Sequence, residues 1–167
     1  MRRSFSFVFP AAIPFLLTCP NPTAAQDRSP ELQCLGFLVG EWTFEMNTGG
    51  SGTEVCEWPG PRLLRCDDEY ALPSGVVGRM VGVWGYDPDQ EVYTWHRYWG
   101  NGRIDHSIGW VDGDTWTFIE RTDGSPRRAA RLTIVEESAT GYSFQWESSI
   151  QGQDWVPSSH GTATKVR

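Results

Sequence analysis

The chain beyond residue 40 is a succession of short segments in which apolar and polar residues alternate. Alternation with a period of two is the pattern of a strand that buries one of its faces. No helix of even three turns is predicted after residue 40. The ten predicted strands are 42–46, 53–58, 63–72, 76–86, 91–99, 103–111, 114–121, 128–136, 142–149 and 159–167.

The junctions between these strands carry Gly, Pro, Asp and Asn, which favour tight hairpins between antiparallel neighbours. They include Asp87-Pro88-Asp89, Gly100-Asn101-Gly102, Asp112-Gly113-Asp114, Asp123-Gly124-Ser125 and Gln151-Gly152-Gln153. An open meander would leave unpaired edges, which closure removes. The sequence therefore predicts an all-β protein: a single closed antiparallel up-and-down β-barrel of about ten strands.

A short helix is predicted immediately before the first strand. Ser29 is a suitable N-cap and Pro30 a suitable first helical residue, and Gly40 ends the segment. The apolar side is formed by Leu32, Leu35 and Leu38. We expect this helix to lie across one end of the barrel.

The N-terminus has the pattern of a signal peptide. Arg2 and Arg3 precede an apolar stretch over residues 5–17, and small residues follow at 23–25. The apolar stretch is too short and too interrupted by proline to span a bilayer. We expect residues 1–25 to be removed, which leaves residues 26–167 as one exported domain, periplasmic or secreted.

An alternative for the N-terminus is lipid anchoring. Residues 16–19 loosely resemble a lipoprotein box, in which Cys19 would be acylated. Thr18 stands where Gly, Ala or Ser is expected, so the sequence favours soluble export.

Charge excludes two classes of partner. The chain carries a formal net charge of −7 and no basic run, which argues against nucleic acid or an anionic membrane as a partner.

The cysteines agree with export. Cys56 and Cys66 flank Pro59-Gly60-Pro61, so a hairpin with an odd loop would place them opposite each other as a disulfide. Cys34 is then left over among the cysteines after residue 25, and we expect it to be a buried thiol. The spacing does not suit zinc.

The opening of the first strand resembles that of lipocalins and the wider calycin group. It has Gly40-x-Trp42 after a short helical turn, and in that group the Trp closes the barrel floor beneath a basic residue from the last strand. The resemblance implies that Lys165 or Arg167 covers Trp42, as a cation over an indole.

The chain more closely resembles an uncharacterised family of bacterial lipocalin-like proteins, a domain of unknown function, over nearly all of residues 31–167. The resemblance implies the barrel fold and no activity. The matching pieces are Gly52-Thr53-Glu54-Val55-Cys56-Glu57-Trp58, Leu64-Arg65-Cys66, Trp84-Gly85-Tyr86-Asp87, Gly109-Trp110-Val111-Asp112-Gly113-Asp114-Thr115-Trp116-Thr117 and Trp146-Glu147-Ser148-Ser149, followed by Gly152 and Trp155.

Nine tryptophans suggest an aromatic-lined interior. Tyr93, Trp95, Arg97 and Trp99 share one strand face, which, if it points inward, would stack a planar ligand and clamp a carboxylate. We therefore expect a small aromatic or planar ligand, including anionic ones, in the interior. The predicted ligand-binding residues are Trp84, Trp95, Arg97, Trp99, Trp116 and Trp146.

A filled barrel with a structural or interaction role is the bland alternative. Its indoles would only fill space, and Arg97 would pair with Glu120 or Glu147. A further alternative is glycoside chemistry, for which Glu120, Glu147 and Asp105 could supply a pair of carboxylates. No common catalytic motif occurs, so no catalytic residue is assigned. The sequence leaves open whether the protein is an enzyme and favours a non-catalytic protein.

A haem- or metal-binding barrel with redox or isomerase activity is the last alternative. His160 opens the final strand, where haem-binding barrels related to lipocalins carry their iron ligand, and one His is enough to ligate haem. His96 and His106 are expected almost opposite each other on adjacent strands, where they would suit a transition metal. Outside this alternative no cofactor is expected.

Overall fold

The computed structural model describes residues 28–121, 128–150 and 152–167. A five-residue helix, α1 (Pro30–Cys34), and a 3₁₀ turn (Leu35–Leu38) precede the strands. The strands are β1 (Gly40–Met46), β2 (Ser51–Glu57), β3 (Leu64–Ala71), β4 (Val77–Asp87), β5 (Val92–Trp99), β6 (Ile104–Asp112), β7 (Thr115–Arg121), β8 (Arg128–Ser138), β9 (Gly141–Ile150) and β10 (Val156–Lys165).

Each strand pairs antiparallel with its neighbours in the chain, and β10 pairs with β1 to close the barrel. The closing register places Phe44 opposite Ala163 and Met46 opposite Gly161. The predicted all-β closed barrel of ten strands is confirmed. Strand alternation then sorts every residue to the inner or the outer face.

The N-terminal helix closes one end of the barrel. Ser29 caps α1, because its hydroxyl accepts a hydrogen bond from the Leu32 N–H at 3.4 Å. Leu35 and Leu38 are completely buried. The Tyr93 hydroxyl donates to the Glu31 carbonyl at 3.0 Å, which ties the helix to β5. The short helix is therefore confirmed, and it forms the floor of the barrel.

The last strand starts earlier than expected, at Val156 and not at residue 159. Its pairing with β9 is irregular between Pro157 and Ser159. Proline has no N–H to donate to a ladder, and an irregularity is where a strand tolerates it. The alternation pattern is broken there, which hid the start of the strand.

The predicted Cys56–Cys66 disulfide is confirmed. The two residues are direct partners across β2 and β3, with Cα atoms 4.1 Å apart. The prediction for Cys34 is wrong, because Cys34 is also disulfide-bonded. That prediction counted only the cysteines after residue 25.

The predicted signal peptide (residues 1–25) and the Cys19 anchor fall outside the described residues. No helix within the described part of the chain is long and apolar enough to cross a membrane. The disulfide is of a kind typical of exported proteins.

Removing the Cys56–Cys66 bond should lower the free energy of unfolding by about 2–3 kcal/mol. The bond closes a loop of roughly ten residues in the unfolded chain and so reduces the conformational entropy of the unfolded state. The variant C56A/C66A avoids a buried unpaired thiol. Urea unfolding with and without reductant checks this. Reductant should shift the midpoint of the wild type and leave the C56A/C66A midpoint much less affected; equal midpoints for the oxidised wild type and the variant would contradict the prediction.

Candidate functional site

The barrel encloses a cavity of about 380 Å³. It runs from Leu38 above the floor to Met46 and Leu72 at the opposite end. Five of the six predicted ligand-binding residues line it: Trp84, Trp95, Arg97, Trp99 and Trp146. A volume of this size suits a small organic molecule.

Two stacked indoles form part of the cavity wall. Trp84 and Trp95 are direct cross-strand partners on β4 and β5, and their rings stack with centroids 4.3 Å apart and planes 13° apart. Phe118 meets Trp84 edge-on at 5.1 Å, which holds the stack from behind. Such packing fixes the ring positions before any ligand arrives.

Gly82 leaves a notch beside this wall. It lies opposite Arg97, and a Cβ there would be 2.8 Å from the Trp95 Nε1 atom and 3.4 Å from that of Trp84. Neither indole N–H has a hydrogen-bond partner among the described residues, and both atoms are buried. Buried donors without partners are costly. The two nitrogens are enclosed by protein, so a ligand or water can accept their hydrogen bonds only if the rings shift.

Arg97 is buried at 2% exposure, and its charge is already matched. One guanidinium nitrogen forms a short hydrogen-bonded ion pair with Glu120 and also donates to Ser107 at 3.3 Å. The guanidinium lies 4.4 Å from the Trp95 ring centroid. Burial lowers the pKa of Arg97, and Glu120 opposes that shift. Its buried Nε–H has no hydrogen-bond partner in the described chain.

The three acids considered for glycoside chemistry each contact a different arginine. Asp105 pairs with Arg103, Glu120 pairs with Arg97, and Glu147 pairs with Arg131. The hydrogen bond from Arg131 lowers the pKa of Glu147. The structure does not bring these acids together as a catalytic pair.

The sequence analysis missed a different pair of acids. Glu54 and Asp68 are direct partners across β2 and β3, at 8% and 9% exposure, and both line the cavity. The Tyr142 hydroxyl donates to Glu54 at 3.2 Å. Asp68 Oδ2 is buried and has no hydrogen-bond partner in the described chain. The signal was present, because Glu54 and Asp68 share the strand faces of Cys56 and Cys66.

Burial raises the pKa of both carboxyl groups, because it penalises their charged forms. The pKa of Asp68 is raised well above its ordinary value, since the Glu54 charge and the Asp67 charge add to the effect of burial. Burial, with both acids nearby, likewise raises the pKa of Tyr142. The two carboxyls titrate as one unit that holds its first proton tightly.

The remaining predicted residues lie at the floor. Trp116, the sixth predicted ligand-binding residue, does not line the cavity: its ring packs on Phe37 at 5.4 Å, and its N–H donates to Glu136. Trp42 donates its indole N–H to the Leu38 carbonyl at 2.7 Å.

The two basic residues expected to cover Trp42 differ in their contacts. The Lys165 ammonium lies 5.0 Å from the centroid of the Trp42 ring. Arg167 pairs with the exposed Glu41 at 3.0 Å. Of the two, Lys165 is the cation that covers the indole.

All three histidines lie outside the cavity. His96 and His106 are direct cross-strand partners on the outer face, with rings stacked at 4.3 Å. Burial lowers the pKa of His96, and the neighbouring His106 adds to this. His160 is exposed in a groove outside β8, β9 and β10. A haem inside the barrel therefore does not fit coordination by His160.

One cluster among the described residues has the spacing of a metal site, formed by Glu54, Cys56 and Cys66. Its sulfurs are bonded to each other and provide no thiolate. This cluster therefore does not suit a metal ion.

Ten antiparallel strands closed into one barrel, with a helical turn and a first-strand Trp at the floor, define a lipocalin-like (calycin) fold. The chain is similar to Rv2717c from M. tuberculosis: the TM-score is 0.58 at 14% identity, over 84% of this chain and 100% of that chain. A looser likeness is to EF1p2_mFAP2b, solved bound to DFHBI, with a TM-score of 0.41 at 13% identity, over 78% of this chain and 94% of that chain.

No family model and no curated protein matches the chain. The likeness to Rv2717c supports the fold alone. Membership of the uncharacterised bacterial family stays a prediction.

Breaking the buried Arg97–Glu120 pair should be costly. In E120Q the guanidinium loses its counter-charge, and we expect the free energy of unfolding to fall by about 3–5 kcal/mol. The matched control is E41Q, which breaks the exposed pair with Arg167 and should cost less than about 1 kcal/mol. Urea denaturation measures both, and equal losses would contradict the buried role.

Stability should fall as pH rises above the acid range, because folding raises the pKa of Glu54 and Asp68. Below their ordinary values of 4.5 and 3.8 the contribution is fully present, and it is lost as pH rises through the folded-state values. D68N should remove most of this slope. Denaturation at pH 4–8 checks this, with E69Q, an exposed acid of the same strand, as the control that keeps the slope.

Proposed function

We propose that the protein is a binding barrel that holds a small planar ligand in its interior, without chemistry. One observation carries the proposal: a cavity of about 380 Å³ is walled by stacked indoles whose N–H groups have no partner in the described chain. Apolar walls with a few unsatisfied polar groups are typical of ligand sites. A fully filled barrel would offer no such space.

The charge of the cavity argues against the anionic ligand that Arg97 suggested. Glu120 matches the Arg97 charge, and the other two ionisable acids of the lining are Glu54 and Asp68. A carboxylate ligand would meet these buried acids without a free cation to offset them. The proposed ligand is therefore planar and neutral or cationic.

Export belongs to the same proposal. The leader pattern of residues 1–25 and the Cys56–Cys66 bond support a mature protein that begins near Gln26 and acts in the periplasm or outside the cell. In such a compartment the barrel would carry or capture a molecule.

Haem or metal binding with redox or isomerase activity is the second candidate, and it has less support. The stacked pair His96 and His106 is the observation in its favour, but the pair lies on the outer face. Purified protein without a Soret band, and without bound metal after dialysis, would remove this candidate.

A tryptophan-fluorescence screen, followed by native mass spectrometry, tests the binding proposal. The panel contains aromatic amidines, aromatic amides, aromatic acids, sugars and haemin. We expect planar compounds to change the indole emission and to add their mass to the protein. If no compound does either, the proposal fails, and a structural or interaction role is favoured.

The variant W95F should weaken binding of a hit compound about five- to tenfold, since it removes one N–H donor and part of the stacked wall. The control is W110F, the same exchange at an exposed indole on β6. Fluorescence titration gives both dissociation constants. Equal affinity in wild type and W95F would place the ligand outside the cavity.

A further inference from the structure

The cavity contains acid without a matching base. Three ionisable side chains with a formal charge line it: Glu54, Asp68 and Arg97. Arg97 is paired with Glu120, whereas the two acids have a hydrogen bond between them and one from the Tyr142 hydroxyl, and no cation among the described lining residues pairs with them. The neighbours on the adjoining strands are Trp42 of β1 and Met80 of β4, which carry no charge.

The Asp68 carboxyl has an unused acceptor at the cavity wall. Its Oδ2 atom is buried without a partner in the described chain, although the side chain is 9% exposed. Independently, the N–H groups of Trp84 and Trp95 and the Nε–H of Arg97 are also unpartnered within the described residues. These four atoms are enclosed by protein, whereas the Glu54 and Asp68 side chains retain 8% and 9% exposure and line the cavity, where an occupant can meet them.

The two groups of unsatisfied atoms lie at a defined spacing. Asp68 is opposite Met80 on β4, and Gly82, which opens the notch below the indoles, is two residues further along that strand. Two residues of strand span roughly 7 Å. A flat bicyclic molecule has the length to reach from Asp68 to the edges of the stacked Trp84 and Trp95 rings.

We propose that the Glu54–Asp68 pair binds the cationic end of a planar nitrogen base, of the amidinium or protonated aminoheterocycle class, whose ring lies in the aromatic cavity beside the stacked Trp84 and Trp95 rings. This inference rests on the proposed function and assigns its ligand class. A planar cation provides two N–H donors for the carboxyl oxygens and the counter-charge that the cavity lacks.

Binding of such a cation releases a proton. The free carboxyl pair retains a proton because burial and the mutual repulsion of Glu54 and Asp68 favour the protonated form. An incoming cation stabilises both carboxylates, so the shared proton leaves to solvent. The other titratable groups that face the pair are Tyr142 on β9 and Asp67 on the outer side of β3.

The test uses three nearly isosteric probes: quinoline-6-carboxamidine, quinoline-6-carboxamide and quinoline-6-carboxylate. We expect the amidinium compound to bind at least tenfold more tightly than the amide, and the carboxylate to bind most weakly. Calorimetry at pH 7 in two buffers of different ionisation enthalpy should show release of up to one proton with the amidinium compound and none with the amide.

D68N should lower the affinity for the amidinium compound at least tenfold, abolish its proton release and leave the affinity for the amide within about threefold. E54Q provides the same test if D68N does not fold. E69Q removes one exposed acid from the same strand and should behave as wild type. A role of Asp68 in structure alone would change both affinities together.

The outcomes separate this inference from the proposed function. If the amide or the carboxylate binds as tightly as the amidinium compound, the cation site is wrong and planar binding stands. If none of the three probes binds, the cation site is also wrong, and the broader fluorescence screen decides the proposed function. Amidinium binding without proton release, or with full affinity in D68N, overturns the role of the carboxyl pair.

Discussion

Closure of β10 onto β1 is the constraint on which the rest of the structure depends. The register that places Phe44 of β1 opposite Ala163 of β10 fixes which face of every strand points inward. It also pairs the two strands that would otherwise be the edges of the sheet. Trp42 secures the floor from both sides, since its N–H holds the Leu38 carbonyl while Lys165 covers its ring. Inward-facing side chains of neighbouring strands are thereby held next to one another, so that ligand-binding groups from different strands can lie close together.

The interior is divided between stability and recognition. At one level, Arg97, Glu120 and Ser107 satisfy one another, apart from the Arg97 Nε–H, and the floor aromatics pack closely around Trp116. At the neighbouring level, Asp68 and the indole N–H groups of the notch lack partners in the described chain. A protein retains such costly groups where a ligand can satisfy them. The unsatisfied part of the wall is thus the part that carries the proposed site.

The fold was predictable because its signals are local. Strand alternation and turn residues predicted ten strands to within a few residues, and the odd spacing of Cys56 and Cys66 predicted their pairing. The site was predictable only in part, since contacts between distant strands depend on closure. Glu120 was one of two partners considered for Arg97, and the position of Trp116 beneath Phe37 required knowledge of where the helix packs. The acid pair was not predicted, although Glu54 and Asp68 lie opposite each other in the same hairpin as the two cysteines.

The disulfide has a consequence for how the chain reaches this state. Cys56 and Glu54 lie on one face of β2, and their partners Cys66 and Asp68 lie on one face of β3. A slip of one residue between these strands would send one strand's side chains to the opposite face and separate the sulfurs. Oxidation can therefore seal only the register in which both acids lie opposite each other on the face of the sulfurs. The disulfide therefore fixes the relative position of Glu54 and Asp68 when the hairpin is oxidised, before any ligand binds.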